Sequence, residues 1–181
     1  MRVITGTARG RKLETLEGLD VRPTIDRVKE AMFSAIHFEI EGSKVLDLFA
    51  GSGQLGIEAV SRGAMSCTFV DASLSSLKVV RKNIATVGFE EQSSVYQGDF
   101  KTFLKTTRSK FNIVFLDPPY SKGIIPEALE LLQDKLYDDA KIVCEHELDA
   151  ELPEAVGKIR MKKQYKYGKT KVTIYQYGGE L

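Results

Sequence analysis

The segment that most restricts the fold is Val45-Leu46-Asp47-Leu48-Phe49-Ala50-Gly51-Ser52-Gly53-Gln54-Leu55-Gly56. An apolar run ends in G-x-G-x-x-G, and a helical pattern follows to about Arg62. Glycines so placed allow a tight turn, close approach of a ligand to the helix N-terminus and close helix–strand packing. The same rhythm continues. Strands are expected at Ser66–Asp71, 94–97, Phe111–Leu116 and 141–144, with helices at 73–86, where Ser73 caps, and near 126–133. Such alternation requires crossover helices, and so a parallel sheet covered on both faces. Residues 158–167 and 171–177 alternate polar and apolar side chains around Gly168-Lys169, which predicts an antiparallel hairpin at one sheet edge. The fold class expected is α/β: a Rossmann-like, mostly parallel seven-stranded sheet with an antiparallel C-terminal hairpin. Ahead of it, the pattern around Gly6 and Gly10 suggests a small β-hairpin. Val21-Arg22-Pro23-Thr24 then leads into a helix, with Thr24 as cap and Val28, Ala31, Met32, Ala35 and Ile36 at helical spacing. The whole chain, 1–181, reads as one domain, with the hairpin over 1–20, the helix over 22–40 and the core over 44–181.

Composition removes other classes. A chain of 181 residues can bury a core without staples, and 43% hydrophobic with 28% charged residues excludes wholesale disorder. No apolar run approaches the ~18 residues of a membrane span, and residues 1–6 do not read as a secretory leader. Cys67 and Cys144 lie in apolar strands without metal-ligand spacing, so buried thiols and a reducing, cytoplasmic address are expected. His37 and His146 read as structural or surface residues. No metal is expected, and a monomer is the default.

Acids placed after successive strands suggest what the glycine loop holds. Asp71 closes the second strand, twenty residues after Gly51, where a carboxylate can accept from both hydroxyls of a ribose. NAD and S-adenosylmethionine share this geometry. Asp47, inside an apolar strand, needs a partner to offset burial, and the cationic methionine end of S-adenosylmethionine would supply one. Gly98-Asp99-Phe100 offers a third acid to accept from an adenine amine, with Phe100 against the ring, although a helix cap is the plainer reading. At the end of a central strand stands Asp117-Pro118-Pro119-Tyr120. Two prolines fix the backbone and remove two donors, leaving a rim of acceptors. An exocyclic nucleobase amine, whose lone pair is delocalised, needs such acceptors to become tetrahedral as a methyl arrives. Tyr120 would stack on the base.

Taken together, these segments resemble the class I S-adenosylmethionine-dependent methyltransferases, and within them the RsmD-like 16S ribosomal RNA guanine-N2 methyltransferases. The resemblance spans essentially the whole chain. It rests on Ile4-Thr5-Gly6-Thr7-Ala8-Arg9-Gly10-Arg11-Lys12-Leu13, on Arg22-Pro23-Thr24-Ile25-Asp26-Arg27-Val28-Lys29-Glu30-Ala31-Met32-Phe33, on 46–64 and on 115–120. It implies methylation of one guanosine N2 in small-subunit ribosomal RNA, on an assembled or assembling subunit. By the same resemblance, Asp47 and the loop of Ala50, Gly51, Ser52 and Gly53 would hold methionine and Asp71 the ribose. Ala72, Asp99 and Phe100 would meet the adenosine, and Arg22 and Thr24 would close the site. Asp117, Pro118, Pro119 and Tyr120 would hold the guanine. Lys29 stands where the family often has Arg, and Gln54 where a small residue is common. An adenine-N6 or cytosine-N4 methyltransferase would use the same tetrapeptide, but usually needs an added target-recognition region. A dehydrogenase leaves the tetrapeptide without a task, and an idle RNA-binding assembly factor leaves the cofactor loop without one.

Net charge of +1 hides a polarised distribution. Residues 1–12 carry Arg2, Arg9, Arg11 and Lys12 without an acid, and 157–173 carry seven bases without an acid, interleaved with Tyr165 and Tyr167. Residues 126–154 carry ten acids against two lysines. Basic hairpins with aromatic residues suit phosphate contact and base stacking, so RNA is the expected partner, with Arg9, Arg11 and Lys12 the first contacts. Glu145 stands near the expected pocket and receives no role.

Overall fold

Parallel strands need crossover helices, and the sequence supplies one between each successive pair. In the computed structural model, which describes residues 1–16, 23–119 and 123–179, the order begins with α1 (Pro23–Ala35) and a short 3-10 turn (His37–Glu39). Then come β1 (Lys44–Asp47), α2 (Gln54–Ser61), β2 (Ser66–Asp71), α3 (Leu74–Val87) and β3 (Ser93–Gln97). They are followed by α4 (Phe100–Thr106), β4 (Phe111–Leu116), α5 (Ile124–Leu131) and β5 (Leu136–Glu147). The last elements are β6 (Ala155–Val156), β7 (Ile159–Tyr167) and β8 (Thr170–Tyr177). Together the strands form one sheet ordered β3-β2-β1-β4-β5-β8-β7-β6. The first five in that order are parallel, and the remaining contacts are antiparallel.

Alternation along the buried strands divides the core in two. Val45, Cys67, Phe69, Ile113, Phe115 and Val143 pack with apolar residues of α1, α2 and α3 on one face. Leu46, Val70, Val114, Leu116, Ile142 and Cys144 pack with those of α4 and α5 on the other. Strand order reverses between β1 and β4, which opens a crevice at their C-terminal ends, where open α/β sheets bind ligands.

Several expected boundaries differ. Helix α1 starts at Pro23, a favoured first position, so Thr24 lies within the first turn and is not the cap. Ser73 does cap α3, its hydroxyl accepting from Ser76 N at 3.3 Å. Asp99 caps α4, a helix the periodicity did not reveal because seven residues carry too little pattern. Helix α5 begins at Ile124, behind Gly123 in the left-handed region (φ 76°). Strand β5 has twelve residues and not four: its polar first half continues the pairing past a register shift and past Asp139 at φ 65°. The two-residue β6, too short to show alternation, makes the sheet eight-stranded where seven strands were expected.

The N-terminal segment is held to α2 as well as to itself. It pairs as a minimal antiparallel hairpin: Arg2 bridges Lys12, and Val3 N donates to Arg11 O, Gly10 N to Val3 O and Leu13 N to Met1 O, each at 2.9 Å. Amides of its turn are taken by helix side chains. Glu58 of α2, fully buried, accepts from Ile4 N at 2.9 Å and Thr5 N at 3.0 Å. Ser61 Oγ accepts from Ala8 N at 3.0 Å and donates to Thr5 O at 2.7 Å. Only glycine fits at position 6, since a Cβ would lie 1.8 Å from Ser61 O. Glu58 also pairs with Lys29 Nζ at 3.2 Å and Arg62 Nε at 2.9 Å. Burial lowers the Lys29 ammonium pKa, and Glu58 opposes that shift. Removing one partner of such a pair strands a buried charge. We therefore expect Glu58→Ala to lower the unfolding free energy by about 3–5 kcal/mol in urea titrations. Lys82→Ala, which breaks the exposed pair with Glu14, should cost less than about 1 kcal/mol.

Candidate active site

Two acids on neighbouring strands hold the turn that leaves β1. Asp71, last residue of β2, accepts from Gly51 N through Oδ2 at 2.9 Å and from Ser73 N through Oδ1 at 2.8 Å. Asp47, last residue of β1 and 1% exposed, accepts from Gly56 N through Oδ2 at 3.1 Å. Burial pushes the Asp47 carboxyl up to about 7; the Gly56 amide opposes this and the Asp71 charge adds to it. Gly51 and Gly53 both take the left-handed conformation, at φ 58° and 82°. Among the described residues, a Cβ on Gly51 would meet only Leu16 Cδ1, at 3.9 Å. A Cβ on Gly56 would lie 2.4 Å from Phe69 and 2.6 Å from Cys67 Sγ, so this glycine lets α2 lie against β2. Ala50 and Ser52 are buried, and Ser52 O accepts from Asn83 Nδ2 at 2.9 Å. Gln54 Oε1 is buried without a hydrogen-bond partner beside this loop.

Beyond β3, Asp99 is exposed and caps α4. Its Oδ1 accepts from Lys101 N at 2.9 Å and Thr102 N at 3.1 Å, and its Oδ2 from Thr102 Oγ1 at 2.7 Å. The Thr102 hydroxyl, with the two amides, holds this carboxyl below its usual range. The helix-cap reading is thus what the geometry displays, with acceptor capacity left on Oδ2. Phe100 packs against Phe49 at 5.2 Å between ring centroids, and Ala72 is exposed.

Asp117 follows β4, one residue past Leu116, which pairs with Cys144 of β5. That register sets Asp117 beside Glu145, close enough for each carboxyl to act on the other. Burial, then the charges of Glu145 and Asp47, push Asp117 well above the carboxylate range; burial also raises Glu145. Two carboxyls so close resist ionising together, so the rim expected to consist of acceptors alone favours a proton here. Sequence reasoning left Glu145 without a role, and only pairing between strands distant in sequence could have found it. Pro118 is buried and Pro119 exposed. Arg22 and Tyr120 lie outside the described residues, as does the side chain of Thr24.

Arg9 and Lys12 are exposed on the N-terminal segment. Arg11 is also exposed, but its guanidinium donates to Thr86 O near the end of α3, which ties it to the fold. Cys67 and Cys144 are free and buried. His37 is exposed, whereas His146 is buried and bonded through Nε2 to Thr173 Oγ1 at 2.7 Å. Among the described residues no helix is long and apolar enough to cross a membrane, and no group of three potential ligands could hold a metal.

Asp47 gives a pH test. Its unfolded carboxyl titrates near ~3.9. Between that value and about 7 the folded state therefore binds the extra proton, and stability falls as pH rises. Asp47→Asn removes this component while other buried acids stay in place. The stability of the variant relative to wild type should rise across that window in denaturant titrations; a flat difference would refute it.

The chain matches the model of the family described as Conserved hypothetical protein 95 over residues 1–176. It is 41% identical over 184 residues to the YlbH protein of Bacillus subtilis (strain 168), covering 99% of this chain and all of that protein. It is 35% identical over 178 residues to Ribosomal RNA small subunit methyltransferase D of Escherichia coli (strain K12), covering 97% of this chain and 89% of that one. The solved structure of the yhhF protein of Escherichia coli superposes with a TM-score of 0.89 at 35% identity, over 99% of both chains. The sheet order, the carboxylate-held glycine loop and matches along nearly the full length agree: this chain has the class I methyltransferase fold and belongs to the Conserved hypothetical protein 95 family.

Proposed function

We propose that this protein uses S-adenosylmethionine to methylate the exocyclic N2 amine of a guanosine in 16S ribosomal RNA, within the small subunit or its assembly intermediate. The observation that carries this reading is the meeting of Asp47 and Asp117 at the strand-order reversal, one beside the glycine loop and the other in the Pro-Pro rim. The name of the Escherichia coli relative, a ribosomal RNA small subunit methyltransferase, supports it.

The residues present suit the cofactor. A cationic ligand with N–H donors matches a loop flanked by the buried Asp47, by Asp71 and by Gln54 Oε1, an acceptor without a partner among the described residues. Asp47 with Ala50, Gly51, Ser52 and Gly53 would hold the methionine part, and Asp71 the ribose. Ala72, Asp99 and Phe100 would meet the adenine, with Arg22 and Thr24 closing over it. When bound, the cofactor supplies an electrophilic methyl group on sulfonium. Asp117 and the Pro118 carbonyl accept from the amine and draw its lone pair out of the ring, while Pro119 stiffens the rim and Tyr120 stacks on the base. Arg9, Arg11 and Lys12 would grip phosphates.

Tritiated methyl transfer to small subunits from cells lacking this protein, followed by nucleoside identification, tests the reading: N2-methylguanosine is expected, and N6-methyladenosine or N4-methylcytidine would replace it with the neighbouring class. Asp117→Ala should lower kcat by about 100-fold or more while calorimetry shows cofactor affinity nearly unchanged. Because Arg11 is tied to Thr86, the double variant Arg9→Ala/Lys12→Ala is the cleaner RNA probe. It should reduce the slope of log affinity against log salt by about 1–2.

A further inference from the structure

Glu145 is a titratable group at the strand-order reversal to which the proposed reaction assigns nothing. The parallel register of β4 and β5 places it beside Asp117. By alternation from Phe115 and Val143 both carboxyls lie on the α1 side of the sheet, side by side. Among the described residues, the other charges acting on Asp117 are Asp47 of β1 and Glu147 of β5, both acidic. Across from Glu145 on β8 is Val172, itself opposite Tyr165 of β7. Lys171 pairs with His146 on the opposite side of the sheet. On α1, Lys29 is committed to Glu58, and Asp26 faces Lys29. Two carboxyls side by side, both raised by burial, keep one proton between them, and burial with the Glu145 charge favours it on Asp117 in the substrate-free protein. A protonated Asp117 is a poor acceptor for an amine.

We propose that Glu145 is a positioning residue that takes over the shared proton when an amine N–H comes to Asp117, leaving Asp117 as the carboxylate that accepts it. This rests on the methyl-transfer reading and adds the route of the proton. As the amine docks, the O–H bond on Asp117 breaks and an O–H bond on Glu145 forms. Once the nitrogen has gained its methyl it carries one proton too many; that N–H bond breaks and the proton passes to Asp117. The proton on Glu145, which is partly exposed, then leaves to water, and the pair again holds one proton.

Glu145→Gln keeps the size and can hydrogen-bond but cannot take the proton. We expect its kcat for methyl transfer to small subunits to fall about 10–100-fold, with KM for both substrates within about twofold of wild type, since binding groups are untouched. The limb of the kcat–pH profile that reports the pair should move, and Glu145→Asp should restore part of the rate. Independently of turnover, infrared difference spectra of the substrate-free protein at neutral pH should contain a protonated-carboxyl stretch that changes in Glu145→Gln. An active wild type with Glu145→Gln matching its rate and pH profile overturns the proposal, as does the absence of any carboxyl band sensitive to this substitution. If wild type transfers no methyl to small subunits while the band is present and shifts, the proton-sharing pair stands and the substrate reading falls.

Discussion

The site depends on a turn pinned at both ends by carboxylates. Asp71 holds the Gly51 amide and Asp47 the Gly56 amide, so the loop between β1 and α2 is fixed from its own strand and from the next. Hydrogen bonds from amides to carboxylates are charge-assisted, and inside a protein they are stronger than their counterparts in water. They let two acids sit in an otherwise apolar sheet, but they do not erase the cost of burial, since Asp47 remains shifted upward. A protein that keeps acids in such places has traded some stability at neutral pH for preorganised acceptors.

Much of this was legible in the chain itself. The G-x-G-x-x-G segment, Asp71 and the strand rhythm are local patterns, and the structure repeats them with small shifts of boundary. The short N-terminal hairpin docks for a reason no local pattern could carry: Glu58 and Ser61 bond the backbone groups of its turn. Both lie more than fifty residues away in sequence. The same is true of Glu145, whose importance comes from register between β4 and β5. Asp99 shows the opposite limit, because a Gly-Asp-Phe sequence serves equally as a helix start and as a ligand contact, and the structure displays the first.

Charge follows a similar division. The basic N-terminal run is real, yet its residues are not equivalent once folded, since Arg11 satisfies a carbonyl near the end of α3 while Arg9 and Lys12 remain exposed. Lysines of β7 and β8 line the far edge of the sheet, beyond β5. Sequence counts reveal the supply of charge; only the fold shows which charges have already been used.

Asn83 has a quieter consequence. Its one amide group bonds Glu14 N at 2.7 Å and Glu14 O at 3.0 Å on the N-terminal segment, and Ser52 O at 2.9 Å in the glycine loop. The free energy of ordering either segment thus contains bonds made by the same side chain, anchored in α3. By thermodynamic reciprocity, whatever rigidifies the loop also favours the docked arrangement of the segment, and loosening the segment must be felt in the loop. The N-terminal segment and the glycine loop share a hinge pin.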